Sequence, residues 1–350
     1  MKNTIKLSIA LASTIAVAAC GGGGGSDSPN DSTGSQAGSS TVKIQATGSG
    51  DVSTTEREVS SGQGFKFTVT PGTKMVTKSV ASDSCELEVV GDDIYVKDVV
   101  SDCSIDIAFD ECLDCYSADD VVLDYTPASP LMERNCVRGG LVATGSENVP
   151  WHNLCQAAEL QKTMLEYNSL VLEQMQDSGA IIGVFGPDEG VCDLPYFSWL
   201  EGQPQCESAK GGLGGTPGNP VTGCSALTLS ATHDVFKRGQ ADGENTCVHE
   251  LAHTIMNVGI SNELNNEIRA RFDQVKSGND LWIRANGEDS FALTNADEFF
   301  AEIAQSYFNA NVSVDSFNHV GVNGSEELLD YDPVSFELVD RIFMEPANLK

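Results

Sequence analysis

Between residues 41 and 125 the apolar positions come in short runs separated by turn residues. Phe65-Lys66-Phe67-Thr68-Val69-Thr70 alternates up to Pro71-Gly72, and Asp92-Asp93 precedes Ile94-Tyr95-Val96. A period of two sends every other side chain to one face, so this stretch predicts a small all-β module. Pro127 and Pro130 mark a linker at 126–130, and beyond it the period changes. Residues 153–177 carry Leu154, Ala157, Ala158, Leu160, Met164, Leu165, Leu170, Val171, Leu172 and Met175, a broad helical stripe closed by Gly179. Residues 180–185 read as a buried strand. The stretch 187–223, rich in Gly, Pro and Cys, reads as a long surface loop pinned by disulfides and shaping a substrate cleft. Helices return at 244–258, 262–275, 296–309 and 333–344. The expected fold class is α+β, with a β module at 41–125 ahead of a larger domain at 126–350.

Composition narrows the partners. The 350 residues hold 20 Lys and Arg against 51 Asp and Glu, a formal net charge of −31. Such a surface repels nucleic acid and anionic membrane and leaves neutral or basic partners. The acid excess reads as a solvated surface, because no D-x-[DN]-x-[DN]-G calcium loop is present. At the N-terminus Lys2 and Lys6 precede an apolar run, 7–19, too short to span a bilayer and ending in small residues, which predicts a signal peptide over 1–20. Val17-Ala18-Ala19-Cys20-Gly21 resembles the bacterial lipobox, and that resemblance implies lipidation of Cys20. Residues 21–40, almost wholly Gly, Ser, Asp, Asn and Thr, then form a flexible tether. The expectation is a cell-envelope protein held to a membrane through Cys20. In a Gram-negative host it would sit at the outer membrane, since no Asp follows Cys20.

Ten further cysteines remain, at 85, 103, 112, 115, 136, 155, 192, 206, 224 and 247. An even number in an exported chain predicts disulfides. Cys112-x-x-Cys115 offers a redox or zinc pair as the alternative, although the second CxxC of a four-thiolate zinc site is missing. The stretch from Ser84-Cys85-Glu86-Leu87 through Gly91-Asp92-Asp93-Ile94-Tyr95 to Asp102-Cys103-Ser104-Ile105 resembles short Cys-containing β repeats found ahead of catalytic domains in bacterial surface lipoproteins. That resemblance implies a Cys85 to Cys103 bridge. The module then reads as a spacer, with glycan or protein binding as the alternative.

The chemistry centres on Cys247-Val248-His249-Glu250-Leu251-Ala252-His253, an H-E-x-x-H string whose neighbours Leu251, Ala252, Ile255, Met256 and Val258 make it helical. Four residues apart on a helix, His249 and His253 share a face and can offer two imidazole nitrogens to one zinc ion. Glu250 points beside that ion, where it can take a proton from water. The competing reading is a helix with two ordinary histidines.

The third ligand decides the class. A metzincin continuation is excluded, because Met256 stands in place of its Gly and Gly259 in place of its third His. Gluzincins take a Glu from a later helix, and 295–308 places Glu298 and Glu302 one turn apart. Two acids on one face of a mostly apolar helix are costly to bury without a cation. The division expected is Glu298 on the metal and Glu302 behind it, hydrogen-bonded to the far nitrogen of a ligand His. Thr294 and Asp297 can form a capping pair that leaves Glu298 free to face the ion. The competing reading leaves both acids on a solvated face with Phe299 and Phe300 inward.

His249-Glu250-x-x-His253 with Glu298-Phe299-Phe300-Ala301-Glu302 resembles the gluzincin family that includes the anthrax lethal factor catalytic domain. Related secreted zincins share the style of Gly243-Glu244-Asn245, Gln305-Ser306-Tyr307-Phe308-Asn309 and Tyr331-Asp332-Pro333. The resemblance covers 137–343 and implies a zincin-like domain, Zn2+ as cofactor, Glu298 as ligand and peptide-bond hydrolysis. Lethal-factor-type sites place a Tyr two turns before the ligand Glu, and here Phe291 stands there, so transition-state support needs another source. Tyr307, nine residues after Glu298, falls on the opposite side of the helix. Tyr331 and His319 are the remaining candidates, although Tyr331 also reads as packing beside an Asp332 cap and Pro333. The function expected is endopeptidase-like hydrolysis of a peptide or protein substrate. Two alternatives stand beside it: an inactive zincin-fold binding lipoprotein, and a zinc hydrolase of non-peptide amides or esters.

Overall fold

A computed structural model describes residues 38–117, 120–204, 206, 211–229, 236, 244–278, 280–311 and 320–344. Cys20, the signal peptide and His319 lie outside the described residues. The strands β1 (Ser39–Thr47), β2 (Gly50–Val52), β3 (Glu56–Ser60), β4 (Gln63–Pro71), β5 (Met75–Ser82), β6 (Glu86–Val90), β7 (Asp93–Val99) and β8 (Cys103–Glu111) form two four-stranded sheets, ordered β3-β1-β8-β5 and β2-β4-β7-β6. The alternation seen in the sequence is what the sheets bury. Val42 and Ile44 of β1, Phe67 and Val69 of β4, Ile94 and Val96 of β7, and Ile105, Ile107 and Phe109 of β8 make one core between them. Burying such side chains contributes roughly 1.5–3 kcal/mol each. The Cys85–Cys103 bridge is present.

The remainder is built on a six-stranded sheet ordered β13-β14-β12-β11-β10-β9. Its strands are β9 (Cys115–Ser117), β10 (Arg134–Val137), β11 (Val142–Gly145), β12 (Ile181–Phe185), β13 (Gly212–Leu213) and β14 (Val221–Ser225). β11, β12 and β14 run parallel, while β9, β10 and β13 pair antiparallel. Helices α1 (Trp151–Leu165), α2 (Ser169–Asp177), α3 (Thr246–Thr254), α4 (Asn262–Gly278), α5 (Ala296–Tyr307), α6 (Ser325–Tyr331) and α7 (Pro333–Met344) complete an α+β fold. No helix among the described residues is long and apolar enough to cross a membrane.

Several local expectations change. The apolar stripe at 153–177 is two helices, because buried Asn168 ends the run: its Oδ1 accepts from Val171 N and its Nδ2 donates to Ile342 O at 2.7 Å. Among its described residues the stretch 187–223 is pinned by the Cys192–Cys206 bridge as expected, but much of it is buried rather than a surface loop. Val191, Leu194, Tyr196, Phe197 and Leu200 pack a second small core, and β14, buried at every residue, lies inside the sheet. Nor is 126–130 a free linker, since Ala128 N donates to Gly179 O and Tyr196 OH to Pro130 O.

All ten cysteines pair, as Cys85–Cys103, Cys112–Cys155, Cys115–Cys136, Cys192–Cys206 and Cys224–Cys247. Cys112 and Cys115 thus belong to separate disulfides and hold no metal, and five bridges fit an oxidising compartment. One turn of α1 meets the β module three times. Trp151 lies under the Lys74 ammonium, His152 faces Asp92 at 3.8 Å, and Cys155 bonds Cys112.

Candidate metal centre

α3 begins where the Asn245 side chain accepts from Cys247 N, and the Cys224–Cys247 bridge fastens that first turn to β14. Val248, Leu251 and Ala252 face the core, which leaves His249 and His253 on the opposite stripe. α5 starts at Asn295, whose Oδ1 accepts from Asp297 N at 2.8 Å and Glu298 N at 2.9 Å. This corrects the expected capping pair. Thr294 closes the preceding turn, Phe291–Leu293, and the Asp297 carboxylate pairs with Arg269. The result for Glu298 is the same, with its side chain left to face α3.

Three donor atoms converge. His249 Nε2 lies 2.9 Å from Glu298 Oε2 and 3.1 Å from His253 Nε2, and His253 Nε2 lies 3.3 Å from Glu298 Oε2. Ligand atoms held tetrahedrally by zinc at about 2.0–2.1 Å stand roughly 3.3 Å apart, so this triangle has the size of one face of such a shell.

The hydrogen bonding behind the triangle fixes the chemistry of its atoms. Gln305 Nε2 donates to Glu244 Oε2 and Asn245 O, so its Oε1 faces His249 Nδ1 at 2.8 Å as an acceptor. His249 Nδ1 must therefore carry hydrogen, and in the neutral ring Nε2 presents a lone pair. A lone pair aimed at a carboxylate oxygen and a second imidazole calls for a cation or a further proton. Burial pushes His249 down, but the Glu298 and Glu302 carboxylates outweigh it and hold the ring well above the usual histidine range. Burial likewise raises Glu298, and the two imidazoles overcome it and bring the carboxyl to about 2.

Glu302, 2% exposed, stands 3.4 Å from His249 Nδ1, and Asn311 Nδ2 approaches its other oxygen. Gln305 holds the closer place that sequence reasoning gave to Glu302. Its signal was spacing, since Gln305 follows Glu298 by seven residues and Glu302 by three, on one helical face.

Glu250 lies on the flank of α3 against β13. Burial raises its carboxyl above the ordinary range, opposed by His249 and His253 and reinforced by Glu298 and Glu244. Phe291, 38% exposed, has its ring 6.1 Å from that of His249, so the position where the resemblance calls for a Tyr is at the site and carries no hydroxyl. Tyr331 serves elsewhere. Its hydroxyl accepts from Trp282 N at 2.5 Å and its ring meets Trp282 edge-on, and neither contact reaches the His249 cluster. Asp332 caps α7 by accepting from Ser335 N, as the packing reading of this segment has it. Tyr307 donates to Asp340 and packs against Phe308, Phe336 and Phe343, edge-on to the first and stacked on the last, and none of these contacts is with the triangle.

No protein-family model matches the sequence, and no curated protein matches it. Among solved structures, the chain is similar to a Pro-Pro endopeptidase from Paenibacillus alvei. The match covers 57% of this chain and 97% of that one, at 14% identity and a TM-score of 0.39.

Proposed function

We propose that the protein is a zinc-dependent endopeptidase-like hydrolase of the gluzincin type, tethered to the cell envelope through Cys20. The observation that carries this reading is the triangle of His249, His253 and Glu298 donor atoms within 4.8 Å of one another, with the proton on His249 Nδ1 directed away from it. A zinc ion held there would polarise the scissile carbonyl, offset charge developing on its oxygen and make water acidic enough to attack near neutral pH. Glu250 accepts the proton of the attacking water and returns it to the leaving nitrogen, a role for which a half-buried carboxyl with a raised pKa is suited. Glu302 and Gln305 hold the His249 ring in one tautomer.

A peptide is favoured over a small ester or amide by the neighbour of Glu250. Among the described residues β13 is the last strand of its sheet, and an edge strand offers backbone groups to an extended chain laid beside it. The second reading, a zincin fold that binds without cleaving, draws on Phe291, which puts a ring without a hydroxyl next to His249.

A peptide-library digest with zinc-loaded wild type and Glu250→Gln separates these readings. Cleavage by the wild type alone supports the peptidase. One bound zinc with no cleavage of any peptide would replace it by the binding reading, and equal cleavage by both proteins would move the chemistry elsewhere. The anchor has its own test: Cys20→Ser should move the protein from the membrane fraction to soluble export, and unchanged membrane retention of the processed variant would refute it.

A further inference from the structure

Residues 211–215 read Gly-Gly-Leu-Gly-Gly and run along the flank of α3. At four of these five positions a β-carbon would collide with the helix or with the sheet behind it. One on Gly211 would stand 2.9 Å from Thr246 Cγ2, and one on Gly212 would stand 2.6 Å from Glu250 Cγ and overlap Gly223 O. On Gly214 it would overlap the His253 β-carbon and sit 3.2 Å from Glu250 O, and on Gly215 it would stand 2.9 Å from Thr254 Cγ2. Thr246, Glu250 and His253 fall on one stripe of the helix. Only a segment bare of side chains at these four positions can come this close to it.

Hydrogen bonds hold the approach. Gly215 N donates to Thr254 Oγ1 at 2.7 Å, Thr254 Oγ1 donates to Glu250 O at 3.1 Å, and Thr222 Oγ1 of β14 meets Thr254 Oγ1 at 2.6 Å. Asn257 Nδ2 donates to Gly215 O at 2.9 Å. Thr222 and Thr254 are wholly buried, so this polar seam is shielded from water and competes with none.

We propose that Gly212 and Gly214 are positioning residues of the site: by lacking side chains they let the edge strand seat Glu250 and His253, Gly214 setting the metal-ligand arm and Gly212 the proton-accepting arm. This inference rests on the peptidase reading above. The two arms separate by measurement. Displacing His253 weakens zinc binding, whereas displacing Glu250 slows turnover at a site that still holds its metal.

The test compares Gly212→Ala and Gly214→Ala with Gly218→Ala, whose added carbon would meet nothing within 4 Å. Zinc dissociation constants come from chelator competition, and kcat and KM from a peptide cleaved by the wild type. Gly214→Ala should raise the zinc Kd tenfold or more. Gly212→Ala should keep the Kd within threefold while kcat falls at least tenfold, and Gly218→Ala should change neither. Kd and kcat within threefold of wild type in both glycine variants, or parallel loss of both quantities in both, would overturn the assignment. If the glycine variants fail to fold, Thr254→Val loosens the same seam without adding bulk. It should raise the zinc Kd severalfold, with recovery in Thr254→Ser, and an unchanged Kd would equally overturn the proposal. Failure of the peptidase reading looks different, because wild type would then bind no zinc, or bind zinc and cleave no peptide, or Glu250→Gln would cleave normally.

Discussion

Replacing Gln305 by Leu tests whether the amide behind His249, rather than the nearer-seeming carboxylate, governs metal affinity. The substitution keeps size at a fully buried position and removes the acceptor 2.8 Å from His249 Nδ1. Loss of such a partner behind a ligand histidine costs about 10 to 100-fold in metal affinity, equivalent to roughly 1.4–2.7 kcal/mol. The variant also takes a donor from Glu244 Oε2 and Asn245 O, which costs stability of about 1–3 kcal/mol for each acceptor left buried without replacement. The two effects are separable. Unfolding of the metal-free protein in urea reads the second, and zinc competition with a fluorescent chelator at constant pH reads the first. Glu302→Gln is the comparison, because Glu302 stands farther from the same nitrogen, at 3.4 Å. Gln305→Leu should weaken zinc binding by at least tenfold and by more than Glu302→Gln. A Gln305→Leu protein with wild-type zinc affinity, or the reverse order of the two variants, would refute the reasoning.

Glu298→Ala should retain less zinc than Glu302→Ala after identical dialysis against a weak chelator, and stoichiometric zinc in the first with none in the second would exchange their roles. Replacing Cys224 and Cys247 together by Ala should lower stability by about 3 kcal/mol from loop entropy over their separation of 23 residues, and an unchanged urea midpoint would count against it. Acid should act at the seam between the β module and α1, where burial lowers His152 from 6.5 to about 4 and raises Asp92 from 3.8 to about 6. The neutral His152 contributes stability that is full above its unfolded pKa and lost as pH falls toward 4. The cost of burying ionised Asp92 is present above pH 6 and relieved as the carboxyl takes up its proton. These opposed slopes nearly cancel in the wild type. Asp92→Asn removes the second, so its stability should fall by about 3 kcal/mol between pH 6.5 and 4 in urea titrations, and a profile parallel to wild type would refute the pairing.

The strands of the β module were legible because one face is wet, so alternation survives as in β4 and β7. β14 was not, because a strand buried on both faces has no alternation, and its Gly223 and Cys224 look like turn chemistry. The H-E-x-x-H pair was legible from helical spacing, which fixes which side chains share a face, whereas Glu298, on a different helix, was legible only through the resemblance to gluzincins. The break at Asn168 and the partner of His249 were not, because each depends on an atom distant in sequence, Ile342 O in one case and Gln305 Oε1 in the other. The glycines at 211–215 read as loop composition, and only their approach to Glu250 and His253 gives them another meaning.

The central claim is one zinc ion on three named atoms. Zinc-edge anomalous diffraction from zinc-loaded crystals of Glu250→Gln, which keeps the ligands and stops turnover, tests it most directly. One peak per chain is expected at about 2.0–2.2 Å from His249 Nε2, His253 Nε2 and a Glu298 carboxylate oxygen. A peak coordinated by Glu302 in place of Glu298, or no peak at the two histidines, would contradict it.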